Sequence, residues 1–278
     1  MNCPLCSSDS KPAFEAKGFP LEDCIACGHR FAAIIAGEAH LAENYSNDYF
    51  TGGGAGYADY LAEGAILRSR GRMYARKVAT FIGPGRLLDV GSAAGFILKG
   101  FSDEGWAGVG VEPNAAMAAT GRESLSLDIR VGSIETLIAT ERFDLVSMIQ
   151  VAAHFYDPVM AFTKARDLLN EGGCLLIESW DRSSRMARVF GKSWHEYSPP
   201  SVLHWYTQSQ LTTYLEGLGF SKIAGGRPSK KISGGHVRSL LKYRLGETRL
   251  LKLIPKQVNF PYPSEDLFWA LYRKCGAK

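Results

Sequence analysis

Residues 86–112, RLLDVGSAAGFILKGFSDEGWAGVGVE, constrain the fold more than any other segment. An apolar run gives way to a turn of small residues, then to a helical stretch, then to a second apolar run that ends on a carboxylate. Apolar runs this short read as buried strands, and two of them joined through a helix form a parallel βαβ unit. Gly91, Ser92, Ala93, Ala94 and Gly95 carry little or no side chain, so backbone N–H groups at the mouth of the helix can approach a ligand closely. Glu112 falls at the tip of the second strand, where a carboxylate can accept hydrogen bonds from both hydroxyls of a ribose.

The alternation continues downstream. Strands are expected at 87–90, 108–112, 128–131, 143–149 and 173–178, with helices from about 94, at 114–120 closing near Gly121, at 133–139 and at 158–169. Asp157-Pro158 is a helix start, a capping carboxylate followed by proline at the first helical position. Thr207 opens a further helix that ends at Gly219, and late strands follow at 220–224 and 266–274. This is the pattern of an α/β fold with a doubly wound, seven-stranded, mostly parallel sheet. Ahead of it, a glycine-rich hinge at Gly52–Gly56 leads into a helical pattern with apolar positions Leu61, Ala65, Leu67, Tyr74 and Val78, which Gly83-Pro84-Gly85 ends.

Four of the six cysteines form two identical pairs, Cys3-Pro-Leu-Cys6 and Cys24-Ile-Ala-Cys27. Two such knuckles about 15–20 residues apart can give four thiolates to one tetrahedral ion, the arrangement of a zinc ribbon. Four thiolates leave no open coordination position, so a structural Zn2+ is expected, one that supports folding and takes no part in catalysis. His29, just past the second pair, is an alternative ligand, but the four cysteines suffice. The chain thus divides into a four-cysteine zinc ribbon over 1–35, a helical lid segment over 36–82 and an α/β core over 83–278.

An apolar fraction of 46% supports a substantial core. No run approaches the roughly 20 apolar residues that would span a bilayer, and Met1 leads directly into the first cysteine pair, so a cytoplasmic protein is expected. The net charge of +4 is small, but ten basic residues and a single acid, Glu247, fall between Lys222 and Lys256. This basic insertion, at about 226–258, suits either a phosphate-bearing ligand or an ordinary solvated helix face.

The dinucleotide fingerprint G-x-G-x-x-G needs a third glycine for close helix packing, and here the positions run Gly91, Ala93, Ala94, Gly95, so it fails. The segment instead resembles motif I, D-V-G-x-G-x-G, of the class I S-adenosylmethionine (SAM)-dependent methyltransferases, with Asp89, Gly91 and Gly95 matching and Ala93 in place of the middle glycine. The resemblance covers roughly residues 45–275. It implies SAM as cofactor, with Asp89 orienting the loop, Gly91, Ser92, Ala93 and Gly95 cradling the methionine part, and Glu112 on the ribose. Ser133 and Ile134, after the third strand, would stand at the adenine, although many relatives have an acid at the Ser133 position. The segment from Asp144 to Pro158 is similar to the family's D-x-V…V-L-E-H-x-x-D-P stretch, with Ala153 replacing the glutamate, so Gln150 to His154 should line the site.

Aromatic and histidine residues concentrate over 180–206, a stretch similar to G-x-x-W…P-P-x-H-L-x-x-F-S in bacterial glycan and small-metabolite methyltransferases. That segment is read either as the acceptor site or as a packed lid. His204, His195 and His154 are the candidate general bases, since an imidazole can take a hydroxyl proton at neutral pH. The resemblance implies methyl transfer to a small-molecule or sugar-type acceptor, phosphate-bearing or glycan-linked, at a hydroxyl oxygen. Two alternatives stand beside it: an rRNA or tRNA methyltransferase that reads RNA through its zinc knuckles, and a SAM-fold scaffold that has lost its chemistry. Gln150-Val-Ala-Ala153 is not the Asn-Pro-Pro-Tyr type of tetrapeptide used for amino methylation, which disfavours a base amine as acceptor.

Overall fold

The computed structural model describes residues 1–51, 59–246, 253–255 and 258–275, so the glycine hinge lies outside the described residues. The N-terminal strands are β1 (Ser10–Ala16), β2 (Phe19–Cys24) and β3 (Arg30–Ala32), followed by helices α1 (Glu38–Asn44), α2 (Asn47–Thr51) and α3 (Gly64–Val78). The core then runs β4 (Arg86–Val90), α4 (Phe96–Ser102), β5 (Ala107–Glu112), α5 (Ala115–Leu125), β6 (Asp128–Val131), β7 (Phe143–Ile149), α6 (Pro158–Leu168) and β8 (Leu169–Trp180). It continues through α7 (Arg185–Phe190), β9 (His204–Trp205), α8 (Gln208–Gly217), β10 (Phe220–Gly226), β11 (Lys230–Ser233), α9 (Gly234–Leu245), β12 (Asn259–Tyr262) and β13 (Leu267–Lys274).

Seven strands form the main sheet in the order β10-β13-β8-β7-β4-β5-β6. Strands β4 to β8 are mutually parallel and β13 pairs antiparallel with both neighbours. Helices cover both faces, so the central strands bury side chains on each side: Leu88, Val146 and Leu175 belong to one apolar cluster, Leu87, Leu145 and Leu176 to the other. Helix α3 crosses α4 where Gly71 meets Gly100. A Cβ on Gly71 would lie 2.1 Å from the Ile97 carbonyl oxygen, so the backbones approach as only glycine permits.

Several expected boundaries move. The α5 helix runs through Gly121 to Leu125 and ends on Ser126 in the left-handed region (φ 53°). Gly121 packs the helix against the sheet, since a Cβ there would meet Ile129 Cδ1 at 2.3 Å. Residues 133–139 form a turn and irregular chain in place of a helix; a span this short is held by local bonds such as Leu137 N–H to Ser133 O at 2.9 Å. Leu61 and Ala65 are exposed, and the buried face of α3 is instead Leu67, Arg70, Gly71, Tyr74, Ala75 and Val78. The basic segment is helical in its middle, as expected, and a β11–β12 hairpin encloses that helix.

The N-terminal strands do not stand apart from the core. Strand β3 pairs antiparallel with β9, giving a four-stranded sheet β1-β2-β3-β9. Beneath it Leu21 and Ala32 share an apolar cluster with Trp194, Val202 and Trp205. Trp194 and Trp205 are therefore core residues, and their indole N–H groups donate to Asp266 Oδ2 at 2.9 Å and Glu196 O at 2.7 Å.

Candidate active site

Chain connections leave the sheet in opposite directions from β4 and β7, which makes their carboxyl ends the natural crevice for a ligand. A cavity of about 1000 Å³, open mouth included, lies there. Asp89 lines it from β4, Gly91, Ser92 and Ala93 from the loop after it, Glu112 from β5, Ser133 and Ile134 from the turn after β6, and Gln150 and His154 from beyond β7. Gly95 does not line it; it sits beneath the loop, where a Cβ would meet Leu127 Cδ1 at 2.6 Å.

The loop is folded back onto Glu112. The Ala93 N–H donates to Glu112 Oε2 and the Asn114 N–H to Oε1, each at 2.8 Å. Burial raises the Glu112 carboxyl to about 7, against the pull of those two amides. Asp89 is raised to about 7 by burial as well, and accepts a hydrogen bond from the Ser147 hydroxyl at 2.5 Å. Gly91 has φ +66°, and a Cβ there would come 2.7 Å from Val151 Cγ2. The Ser92 side chain points away from the loop onto Gly110, whose missing Cβ would lie 2.5 Å from Ser92 Oγ. Two non-glycine residues at this mouth, Ala93 (φ 47°) and Gln150 (φ 59°), adopt the left-handed region. Each conformation costs about 1–3 kcal/mol and concentrates at ligand sites.

His154 is anchored through its ring. Its Nδ1 lies 2.7 Å from the Ser201 carbonyl oxygen and 2.7 Å from the Tyr45 hydroxyl, while that hydroxyl donates to the same carbonyl at 2.6 Å. A carbonyl can only accept, so a proton on Nδ1 satisfies Ser201 O, and that tautomer leaves the lone pair on Nε2. Burial lowers the His154 pKa, opposed by the Ser201 and Gln150 carbonyls, which keeps the ring neutral near pH 7.

The matching sequence family is "Methyltransferase domain", over residues 66–224. The chain belongs to the methyltransferase domain family. A ubiquinone biosynthesis O-methyltransferase from Dinoroseobacter shibae is 30% identical over 151 residues, 50% of this chain and 60% of that protein. One from Rhodopseudomonas palustris is 27% identical over 145 residues, 48% of this chain and 57% of that protein. Each match thus spans less than two thirds of the relative's own length. Among solved structures, the Burkholderia thailandensis 1,6-didemethyltoxoflavin-N1-methyltransferase, with bound 1,6-didemethyltoxoflavin and S-adenosylhomocysteine, superposes with TM-score 0.55 at 14% identity over 96% of this chain and 100% of its own. A SAM-dependent methyltransferase from Clostridium acetobutylicum gives TM-score 0.51 at 12% identity, covering 76% and 92%. These likenesses establish the fold.

The residues of this methyltransferase domain fit SAM. Glu112 is held at the tip of β5 by two backbone amides, the Gly91 cradle is one that a Cβ would fill, and among the described residues Gln150 Nε2 is a buried donor with no hydrogen-bond partner. Residues ahead of β4 complete the wall: Tyr45, Tyr49, Phe50, Tyr60 and Leu67 line the cavity, and Phe50, Tyr60 and Leu67 share an apolar cluster with Ala93. Arg70 lines it too, and its guanidinium pairs with Glu178, which is fully buried at the end of β8 and also accepts from Tyr74 Oη. Sequence reading missed Arg70, Tyr74 and Glu178. The signals were a lone carboxylate closing an apolar strand and an arginine on the periodic face of α3.

The other two histidines lie elsewhere, and none of residues 190–206 lines the cavity. His204 is buried, with Nε2–H donating to Phe155 O at 2.8 Å and Nδ1 facing His29 Nε2 at 3.1 Å; burial lowers its pKa to about 4. His195 packs edge-on against Trp180, with Nε2 3.3 Å from Glu196 Oε1 and Nδ1 3.9 Å from Asp266 Oδ2.

The four N-terminal cysteines converge, with all four sulfurs within 4.8 Å of one another. Cys3 and Cys27 are 3.7 Å apart, and Cys6 lies 3.5 Å from both Cys24 and Cys27. A tetrahedron with Zn–S of 2.3 Å has sulfur–sulfur edges of about 3.8 Å, so this donor set fits Zn2+. His29 turns away from the cluster toward His204. Among the described residues, no helix is long and apolar enough to cross a membrane.

Proposed function

We propose that this protein is an O-methyltransferase that moves a methyl group from SAM to a hydroxyl of a small-molecule acceptor, with His154 as general base. The observation that carries the reading is the anchoring of His154 at the cavity: Nδ1 is tied to Ser201 O on a residue that lines it, and with the proton on Nδ1 the basic Nε2 serves the acceptor. Bound SAM supplies a methyl group already activated on a sulfonium. What the chain contributes is placement, proton removal and exclusion of water. Nε2 takes the acceptor's hydroxyl proton as its oxygen bonds to the methyl carbon and the carbon–sulfur bond breaks. Burial keeps the Tyr45 phenol protonated, so it anchors the Ser201 carbonyl and does not compete as a base.

The names of the two bacterial relatives support oxygen as the methylated atom. Tyr45, Tyr49, Phe50 and Tyr60 offer an apolar, ring-bearing wall suited to a planar or apolar acceptor. In this reading residues 1–35 are the metal ribbon, 36–82 the lid that carries acceptor contacts, and 83–278 the catalytic core. No residue of the basic segment lines the cavity among the described residues.

The test is methyl transfer from labelled SAM to a panel of hydroxylated small molecules, with RNA as a parallel substrate. His154→Ala should slow turnover by about 10²–10⁴-fold and leave SAM affinity within about twofold. Label that enters RNA and no small molecule would replace this reading with the RNA one.

A further inference from the structure

Two stacked histidines bridge the cysteine ribbon to the residue proposed as base. Phe155 O can only accept, so His204 Nε2 carries a proton and His204 Nδ1 must accept. The donor is His29 Nε2, 3.1 Å away, with the rings stacked at 5.2 Å between centroids. His29 stands two residues after Cys27, and its carbonyl accepts the Cys24 N–H at 2.9 Å. That knuckle is also clamped to the core: Gln210 Nε2 donates to Cys27 O at 3.1 Å and Arg182 Nη2 to Gly28 O at 2.7 Å.

On the other side, residues 201–206 hold residues 152–155. Leu203 N–H donates to Ala153 O at 2.9 Å, His204 Nε2–H to Phe155 O, and Tyr206 Oη to Ala152 O at 3.3 Å. Ser201 O fixes His154 Nδ1. The free edge of this same segment pairs with the ribbon, through Phe31 opposite His204 and Ala32 N–H on Leu203 O at 2.9 Å. One short stretch therefore touches the ribbon on one edge and the base on the other.

We propose that the ribbon is a positioning element for His154, acting through His29 and His204, so that metal occupancy of the four cysteines governs turnover without the metal contacting substrate. The proposal rests on the reading of His154 as base. His204 is a positioning residue in it: it acts through Phe155 and Leu203 on the His154 backbone and touches neither cofactor nor acceptor in the cavity. The ribbon serves the site as an outer shell serves a metal ligand, where losing a supporting partner commonly costs about 10–100-fold.

The experiment uses the full chain loaded with zinc. The His154 Nδ1–H resonance is followed by ¹⁵N-edited NMR beside kcat, acceptor KM and SAM affinity, before and after metal removal by a chelator and in His204→Phe and His204→Gln. Glutamine can donate to Phe155 O and accept from His29, so it should restore what phenylalanine loses. The expected result is a roughly 10–100-fold fall in kcat and loss of the His154 Nδ1–H signal on metal removal and in His204→Phe, with SAM affinity within about twofold and rescue in His204→Gln. An unchanged kcat and His154 signal after metal removal overturns the proposal, as does a parallel loss of SAM binding, which would mark general unfolding. If His204→Phe does not fold, metal removal and His204→Gln still decide. Should His154→Ala keep full activity, the assignment of the base fails, while the Nδ1–H signal still reports whether the ribbon positions the ring.

Discussion

The Ala93 amide donates to Glu112 Oε2 across 2.8 Å, tying the loop after β4 to the tip of β5. With Asn114 N–H on the other oxygen, the carboxylate is fixed before any ligand arrives, and each oxygen keeps a lone pair for a ligand donor. Holding Ala93 there requires φ 47°, a conformation that glycine adopts freely and alanine does not.

Ala93→Gly should therefore remove a strain of about 1–3 kcal/mol while costing about 0.4–1 kcal/mol in unfolded-chain entropy, a net gain of up to about 2.6 kcal/mol. Gly91→Ala should do the opposite, losing about 1–3 kcal/mol, because its Cβ would strike Val151. Denaturant unfolding of both variants checks this. A stabilised Gly91→Ala would show that the loop is not held as described.

Glu112 and Asp89 are both raised to about 7 by burial, so the native chain binds more protons than the unfolded chain between roughly pH 4 and 7. Stability of the ligand-free protein should fall as pH rises through that window. SAM affinity should move the other way, since the ribose hydroxyls need an ionised acceptor, and should rise by up to about tenfold per pH unit below 7. Calorimetry between pH 5.5 and 8 measures it. In Glu112→Gln the Glu112 contribution to that slope should vanish.

Arg70 and Glu178 form a buried ion pair beneath the cavity. Glu178→Leu should destabilise by about 3–5 kcal/mol by stranding the guanidinium, and Arg70→Leu by a similar amount. The double variant should lose much less than the sum. Additive losses in the cycle would show that the two side chains act independently.

The sequence made the sheet legible because its signals are local and repeated: apolar runs of strand length at β4, β5, β7 and β8, each closed by a turn, with Asp157-Pro158 opening α6. The residues of motif I and Glu112 were legible for the same reason, since they lie at the ends of those strands. The 190–206 segment was not, because its aromatics and histidines carry no period that says whether they face a ligand or a neighbouring sheet. Pairing of β3 with β9 joins residues about 170 apart in sequence and buries His204 against His29. No local pattern encodes such a contact. The same holds for Arg70 and Glu178, which meet only once α3 packs over the sheet.

Calorimetric titration of SAM into the zinc-loaded protein, beside Glu112→Ala, tests the central claim most directly. One SAM per chain should bind at micromolar concentration, and the variant should bind at least about tenfold more weakly, through loss of hydrogen bonds to a charged acceptor. No binding at millimolar SAM, or equal affinity in the variant, would contradict the account.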